Sequence, residues 1–202
     1  TFNIEASGQD NLIKSLSGSG SVLLGGNKLT ITDGANDNFS GIISGAGNVS
    51  LTSGTQTFSG GNIYTGSTTV NTSAILALSG AGSIATSSSL EVNGVFDISQ
   101  TTTSSKNINK LNGSSAGIIK LGGNSLIIGT DGIDSGNFSG SIQDGGLGDG
   151  TQGSLVINGN GYTQNLLGNN TYTGNTAINA GTTLALKDSG SIATSNQLTN
   201  YG

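Results

Sequence analysis

Short runs of alternating apolar and polar residues recur along this chain, about every eight to twelve residues. Gly, Asn, Asp or Ser bounds each run, and these residues tolerate the backbone angles of sharp corners. Alternation with a period of two is typical of strands that bury one face, and no window of the chain has the spacing of an amphipathic helix. The pattern therefore predicts an all-β chain of short strands. Examples of the runs are Leu29-Thr30-Ile31, Val49-Ser50-Leu51, Leu90-Glu91-Val92 and Leu155-Val156-Ile157.

Most of the chain consists of two copies of one long repeat. Tyr64 and Tyr172 are matched at an offset of 108, and the same offset relates 62–78 to 170–186 and 83–87 to 191–195. Further upstream the offset is smaller, since 25–31 matches 122–128 at 97 and 38–41 matches 137–140 at 99. The second copy has therefore gained nine residues, which we expect within 144–161. We divide the chain into the end of a preceding unit (1–15), a first unit (16–110) and a second unit (111–202).

Two all-β architectures are compatible with these strands. A sandwich needs about seven strands paired non-locally around a thick core, whereas a solenoid stacks rungs of about 20 residues that contact only their neighbours. The tandem repeat, the low aromatic content of 4% and the tolerated insertion favour the solenoid. We predict about ten rungs at ~4.8 Å spacing, a rod about 45–50 Å long. The polar run at 99–105 is predicted to be a strand-edge loop or a flexible excursion.

Composition narrows the possible partners. The chain has 202 residues, 36 Gly, no Pro, and a net charge of −5 with no His, and its sequence contains no Arg. Nucleic-acid binding usually needs a basic stripe, so we expect no nucleic-acid partner. The longest apolar run, Ala74 to Leu78, is far below the ~20 residues that span a bilayer, so we expect no membrane insertion by this segment. Lys106, Lys110 and Lys120 lie close in sequence, and we interpret them as solvated loop residues, with a small anion-binding patch as the alternative.

Several residues recur at matched places in the two copies. The asparagine pairs are Asn27 and Asn124, Asn62 and Asn170, and Asn71 and Asn179. We interpret these as turn residues, with backbone bonding or side-chain ladders as the alternatives. Tyr64 and Tyr172 are expected to pack over a corner rather than to serve as platforms for glycans. The chain begins at Thr1 without a signal peptide, and we interpret it as a piece of a longer protein.

The sequence offers little catalytic chemistry. Without His or Cys, no Ser-His-Asp or Cys-His arrangement can be assembled. The carboxylate pairs lie among Gly and Asn, as solvated turns do, so we predict no catalytic, cofactor-binding or metal-binding residue. Asn-x-Ser/Thr sequons are explained by composition without glycosylation. The carboxylate pairs are Asp33/Asp37, Asp131/Asp134 and Asp144/Asp149, and the sequons start at Asn38, Asn48, Asn71, Asn112, Asn137 and Asn169.

A calcium site is the alternative at one place. Gly145-Gly146-Leu147-Gly148-Asp149-Gly150 approaches the Gly-Gly-x-Gly-x-Asp repeat of calcium-binding β-rolls. Here the aspartate arrives one residue early and no tandem copy follows. Because calcium takes six to eight oxygens, we favour a plain glycine turn.

Part of the repeat resembles a known family. Phe-Ser-Gly, a Gly-rich segment, Asn-x-Tyr-Thr-Gly-x-Thr-x-Ile/Val-Asn and a Leu-x-Leu strand resemble the autotransporter-associated β-strand repeat of Gram-negative passenger domains. The likeness covers residues 38–78 and 137–186, about half of the chain. It implies a right-handed parallel β-helix that is secreted to the bacterial cell surface, in a parent with a C-terminal outer-membrane β-barrel.

The resemblance also implies a role. We expect a non-enzymatic stalk in adhesion or surface presentation, contacting a host surface protein or glycan, or identical neighbours along the solenoid. A structural spacer that promotes folding and export, or part of a secreted toxin, is the alternative.

Overall fold

The computed structural model describes residues 1–130 and 135–202. Within these residues there is no helix, and parallel strands stack as a β-solenoid of about 10 turns. All of the strand pairs are parallel, for example Thr69 beside Glu91 and Glu91 beside Asn112 on successive turns. A sandwich would have paired antiparallel strands in two facing sheets. The predicted solenoid of about ten rungs is therefore confirmed.

Each turn passes along three faces of the solenoid in a fixed order. Face I contains Phe2–Asn3, Ser21–Leu23, Ile42–Ser44, Ser105–Ile108, Ser125–Ile128, Ser154–Ile157, Thr176–Ile178 and Leu198–Asn200, with a bridge between Gly61 and Ser83 in its middle. Face II contains Asn11–Ile13, Leu29–Ile31, Leu90–Val92, Leu111–Asn112, Ser135–Phe138, Thr163–Leu166 and Thr183–Leu186. Face III contains Asp37–Phe39, Val95–Thr101, Ile118–Lys120 and Ser141–Gln143, and continues to a bridge between Asn169 and Ser191. Two long strands, Val49–Phe58 and Thr68–Gly80, run from face II onto face III.

The core is a column of inward side chains that repeats from turn to turn. Leu51 stands beside Val70, and Val70 beside Val92, each at most 2% exposed. One cluster of such residues extends from Ile4 to Tyr172. Burying each side chain contributes about 1.5–3 kcal/mol, but only while the turns above and below cover it. This is why short alternating runs, too weak to form a sheet alone, are sufficient here.

The structure locates the additional residues of the second copy. Ser105 pairs with Ser125 at an offset of 20, whereas Ser125 pairs with Ser154 at an offset of 29. The extra residues are split between two corners, because the offset between equivalent core residues rises in two steps. It is 99 for Ile43 and Ile142, 106 for Leu51 and Ile157, and 108 for Phe58 and Leu166. Seven residues thus enter at the corner around 144–153, inside the predicted range, and two at the corner around 158–162, at the end of that range.

Equivalent residues of the two copies lie on different faces. Ile43 is on face I, but its equivalent Ile142 is on face III; Leu51 is on face II, but Ile157 is on face I. From one copy to the next the chain makes fourteen passes, which is four turns and two thirds because three passes complete a turn. The second copy is therefore rotated by one face about the solenoid axis, so that matched corners point in different directions.

The polar run at 99–105 differs from the prediction of a loop or flexible excursion. Ser99 and Thr101 lie in the strand Val95–Thr101, and Ser105 begins the next strand. Only residues 102–104 form a corner. The prediction was wrong over most of the run because small hydroxyl side chains fit the outer side of a strand when neighbouring turns satisfy its backbone.

The paired asparagines tie successive turns together. The Asn62 side chain accepts from the Ile43 backbone N–H at 2.9 Å and donates to the carbonyls of Gly60 and Ser83, at 3.3 and 3.2 Å. Asn170 makes the equivalent three bonds. Asn27, Asn124 and Asn71 donate to backbone carbonyls of the preceding turn, and Asn179 donates to the Asn158 carboxamide. Backbone bonding, one of the alternatives, therefore describes most of these residues. Five sequon side chains also bond to neighbouring turns: those of Asn38, Asn48, Asn71, Asn112 and Asn137.

The two tyrosines of the repeat are fully buried. The Tyr64 hydroxyl lies 2.6 Å from the Thr68 hydroxyl, which lies 2.9 Å from Ser87, and Ser87 donates to the carbonyl of Gly66. Tyr172, Thr176 and Ser195 repeat this chain of hydroxyls in the second copy. The expectation of packing over a corner is thus confirmed, and both rings are inaccessible to a ligand.

The first prediction concerns Asn62. Asn62→Ala removes three hydrogen bonds and leaves the buried Ile43 N–H without an acceptor. We therefore expect the free energy of unfolding to fall by about 2–4 kcal/mol. Asn38→Ala is the matched control, because the exposed side chain of Asn38 accepts from the Ser59 hydroxyl at the surface; it should cost under about 0.5 kcal/mol. Urea unfolding followed by circular dichroism measures both. Equal losses would contradict the role given to Asn62.

The second prediction concerns stability at alkaline pH. Burial raises the pKa of Tyr172 from 10.0 to about 12, and burial also raises the pKa of Tyr64. Since the folded state favours the neutral phenol, its contribution is fully present below pH 10 and is lost between about pH 10 and 12. We expect the stability advantage of the parent over Tyr172→Phe to shrink across this window, measured by urea unfolding at each pH. Tyr201 is 65% exposed, so Tyr201→Phe should show no such trend; the same trend in both variants would refute the assignment.

Candidate functional site

The feature that most distinguishes the two copies is a corner loop, residues 144–153. It joins Ser141–Gln143 on face III to Ser154–Ile157 on face I. The equivalent corner of the first copy, between Ile42–Ser44 and Val49–Phe58, has only residues 45–48. Loops on a rigid scaffold are where binding residues concentrate. The corner loop is therefore the first candidate for a functional site.

Asp144 holds the base of the corner loop. One carboxylate oxygen accepts from the Gly153 backbone N–H at 2.9 Å, and the other accepts from the backbone N–H groups of Gln152 and Thr173 and from the Thr173 hydroxyl. These bonds join both ends of the loop to the next turn. Charge-assisted bonds of this kind are about twice as strong as neutral ones.

Asp97 holds the tip of the loop from below. This carboxylate is 2% exposed and lies in the strand Val95–Thr101 on face III. It accepts from the Leu147 backbone N–H at 2.7 Å and from the backbone and hydroxyl of Ser99, whose hydroxyl in turn accepts from the Gly148 N–H at 2.8 Å. Two carboxylates from distant parts of the sequence thus fix one loop.

The loop backbone is strained where it bends. Asp149 and Gln152 have φ values of 55° and 66°, a region that non-glycine residues rarely adopt. Each such residue costs about 1 kcal/mol or more, and the carboxylate bonds compensate. Gly146 must lack a side chain, because a Cβ there would lie 2.7 and 2.8 Å from the Asp97 carboxylate oxygens. The loop therefore has one defined shape, with Leu147 half exposed at its tip.

The corner loop separates two clefts. The aliphatic cleft, on face III, has a volume of about 300 Å³ and is lined by Ile75, Val95, Asp97, Lys120, Gly146 and Leu147. The polar cleft, on the side of face I, has a volume of about 340 Å³ and is lined by Gln152, Ser154, Thr173, Gly174, Asn175 and Asn196. The same loop thus presents two surfaces of opposite character.

Among the described residues, the carboxylates of the pairs Asp33/Asp37 and Asp144/Asp149 do not converge on one site. Asp33 caps its own turn by accepting from the Ala35 N–H, several turns away from the corner loop. Both carboxylate oxygens of Asp144 already accept hydrogen bonds at the base of the loop, whereas Asp149 is exposed. Asp131 and Asp134 lie outside the described residues. Across residues 1–130 and 135–202 no group of three or more His, Cys, Asp or Glu could hold a metal ion. The calcium motif at 145–150 forms a glycine-rich turn whose own carboxylate, that of Asp149, is exposed.

The three central lysines do not form a patch. Lys106 is on face I, where burial lowers its pKa and where it pairs in register with the core residue Leu126. Lys120 is on face III, and its ammonium group donates to the Gln143 side-chain oxygen at 2.7 Å. Lys110 lies at the corner between the face I strand Ser105–Ile108 and the face II strand Leu111–Asn112. The interpretation of all three as solvated loop residues was wrong for Lys106, whose apolar stem fills an inward position. It was also wrong for Lys120, which lies in the strand Ile118–Lys120 rather than in a loop.

Sequence reasoning missed Asp97, the most buried carboxylate at the site. The sequence does contain one indication of its role, a charged residue among the apolar residues of Val95-Phe96-Asp97-Ile98. A carboxylate buried in such a strand needs hydrogen-bond donors from elsewhere in the chain. The donors themselves lie far downstream in sequence, in the loop. The spacing in sequence gave no indication of that contact.

The comparisons with known proteins found no match: no protein-family model, no curated protein and no solved structure is significantly similar to this chain. In the part of the chain that the structure describes, no helix has the length and hydropathy needed to cross a membrane. What the structure defines is therefore a class of architecture, a parallel β-solenoid that carries the corner loop 144–153.

The third prediction concerns the anchor of the loop. Asp144→Ala removes the acceptor for Gln152, Gly153 and Thr173, and we expect their amides to exchange with solvent at least tenfold faster. Core amides such as that of Leu155, which bonds to the carbonyl of Asn175, should change little. Hydrogen exchange followed by NMR measures each site. Asp149→Ala is the control and should leave all of these rates unchanged; equal effects of the two variants would show that Asp144 is not the anchor.

Proposed function

We propose that this chain is a non-enzymatic segment of a secreted, cell-surface protein of the autotransporter passenger type, in which the solenoid is a stalk and the corner loop makes adhesive contact. The repeat motif around Tyr64 and Tyr172 supports the autotransporter class. The parallel β-solenoid is compatible with it. The observation that carries the adhesive role is the corner loop itself, which is present in one copy and absent from the other.

The design of the loop supports a role in contact. The loop includes two residues in a strained conformation, Asp149 and Gln152, and two carboxylates, those of Asp97 and Asp144, hold it in that shape. The shorter corner of the first copy has no equivalent of this loop. A preorganised loop loses less conformational entropy on binding than a flexible one. The half-exposed Leu147 and the two clefts give this shape a surface to present to a host protein, a glycan or an identical neighbour.

A structural spacer is the second candidate, and one specific observation favours it. The buried Asn62 and Tyr64 networks recur in the second copy as Asn170 and Tyr172 with equivalent partners. These networks stabilise the stacking of turns wherever they occur, independently of any ligand. A spacer needs such networks alone, whereas an adhesive segment also needs the corner loop.

The fourth prediction separates the two roles with a graft from within the protein. Residues 144–154 are replaced by Gly-Ala-Gly-Asn, the corner of the first copy, which removes the seven additional residues. If the loop makes contact, the graft should lose at least tenfold in binding of the purified chain to host cells, while the β-sheet circular dichroism is retained. Unchanged cell binding by a folded graft would contradict adhesion through the loop and favour the spacer.

A pair of point variants controls for loss of exposed apolar surface. Leu147→Ser changes the loop tip, and Ile63→Ser makes the same kind of change at another corner, where Ile63 is 56% exposed. We expect reduced cell binding only for Leu147→Ser. Equal reductions would indicate nonspecific hydrophobic adsorption.

A further inference from the structure

The polar cleft beside the corner loop is uniform in chemistry. Its six lining residues carry amides, hydroxyls or backbone only, and none is charged. Asp144 lies behind it but is occupied by Gly153, Gln152 and Thr173. An ionic ligand would find no countercharge here, and an apolar ligand would leave the amides unpaired. The cleft is therefore suited to a neutral ligand rich in hydrogen-bonding groups.

The carboxamides in the cleft have unused capacity. Asn196 donates through Nδ2 to Asn175 Oδ1 at 3.0 Å, and the Asn175 backbone N–H donates to the Ser154 hydroxyl at 3.2 Å. Among the described residues, no hydrogen bond uses Asn175 Nδ2, Asn196 Oδ1 or the side-chain amide of Gln152. A carboxamide offers donors and an acceptor side by side, which matches hydroxyl groups that both donate and accept.

The arrangement of these groups is set by the solenoid. Ser154, Asn175 and Asn196 lie at equivalent corners of three successive turns, at a constant offset of 21. Successive turns are about 4.8 Å apart, so the polar groups form a row along the solenoid axis. Gln152, held at positive φ by the loop, forms the wall beside this row. A row of polar side chains with Gln152 along one side fits an extended oligomer of linked, hydroxylated rings.

The first copy provides an internal comparison. Its equivalents of Ser154, Asn175 and Asn196 are Asn48, Ser67 and Ser88, at offsets of 106, 108 and 108. There the Asn48 carboxamide oxygen accepts from both the backbone and the hydroxyl of Ser67, at 2.7 and 3.0 Å. The first copy also lacks the corner loop and hence the wall. The second copy thus has the wall and amides at the second and third places of the row, where the first copy has a single amide at the first place, while its buried networks are equivalent.

From these observations we propose that the polar cleft is a binding subsite for a neutral oligosaccharide, with Asn175, Asn196 and Gln152 bonding to its hydroxyls. This inference rests on the proposed contact role of the corner loop and deepens it by naming the ligand class and the residues. The aliphatic cleft on the other side of the loop is not part of this subsite.

The test uses the whole chain and a panel of defined glycans. The chain is titrated by NMR with neutral oligomers of hexose and N-acetylhexosamine and with acidic glycans. We expect a neutral oligomer to shift the side-chain amide signals of Asn175, Asn196 and Gln152. The paired change Asn175→Ser and Asn196→Ser, which restores the residues of the first copy, should weaken this binding at least tenfold. Because the first copy folds with serine at both places, the variant is expected to fold.

A matched variant controls for the amides alone. Ser67→Asn with Ser88→Asn places the two amides at the corner without the loop, and we expect no gain of glycan binding there. Absence of binding by every neutral oligomer, binding of acidic glycans only, or unchanged binding by the Asn175→Ser, Asn196→Ser variant would each overturn the assignment.

The outcome also separates this inference from the proposed function. If the loop graft abolishes cell binding but the double serine variant does not weaken glycan binding, the ligand class is wrong while the contact role stands. If glycan binding requires the two asparagines but the graft leaves cell binding intact, the subsite exists and the adhesive role of the loop is wrong.

Discussion

The structure depends on the hydrogen-bond ladder between successive turns of one chain. Each pass is only a few residues long, and its N–H and C=O groups have no partner within the same turn. They are satisfied by the turns before and after, as at Leu29, Val49 and Thr68 along face II. Because unpaired buried backbone groups are costly, a turn is stable only between neighbours. Stability therefore accumulates along the axis rather than around a central core.

Buried polar side chains reinforce this ladder, both at the corners and within the strands. Asn62 bonds to one turn on each side, and Gln56 similarly bonds to Leu16 and Asp37 on preceding passes. Gln164, the equivalent of Gln56 in the second copy, is buried in the same way and bonds to Leu111. These residues explain how a chain with 32% hydrophobic residues forms a continuous interior. Amides and hydroxyls thus hold the turns together in addition to the aliphatic side chains.

The fold could be predicted from the sequence because its determinants are local and repeated. Alternating runs such as Leu90-Glu91-Val92 specify one buried side, and the offsets between the copies reveal both the repeat and its insertion. The one-face rotation of the second copy could not be predicted, because the number of passes per unit follows only from the observed registers. Lys106 was misread for a related reason: its sequence neighbourhood is polar, but its strand position points inward beside Leu126.

The candidate site was predictable only in part. The position of the inserted residues followed from the change of offset, and the sequence singled out Asp144 and Asp149 there. The sequence did not show that the two aspartates have different roles. The role of Asp144 depends on hydrogen-bond donors on the next turn, such as the Thr173 backbone N–H. Asp97 and the polar cleft depend on contacts between passes that are well separated in sequence. Such contacts are fixed by the register of the stack, which no local pattern encodes.

The most direct test of the stack is pairwise cross-linking along one ladder in this cysteine-free chain. Thr69, Glu91 and Asn112 stand in register on three successive turns of face II. Adjacent turns are about 4.8 Å apart, within the Cα separation that a disulfide needs, whereas alternate turns are about twice as far and beyond it. If the turns stack in this register, cysteines at 69 and 91, or at 91 and 112, oxidise to a disulfide without loss of folding, and cysteines at 69 and 112 do not. Formation of the 69–112 disulfide in folded protein, or failure of both adjacent pairs, would contradict the stacked register.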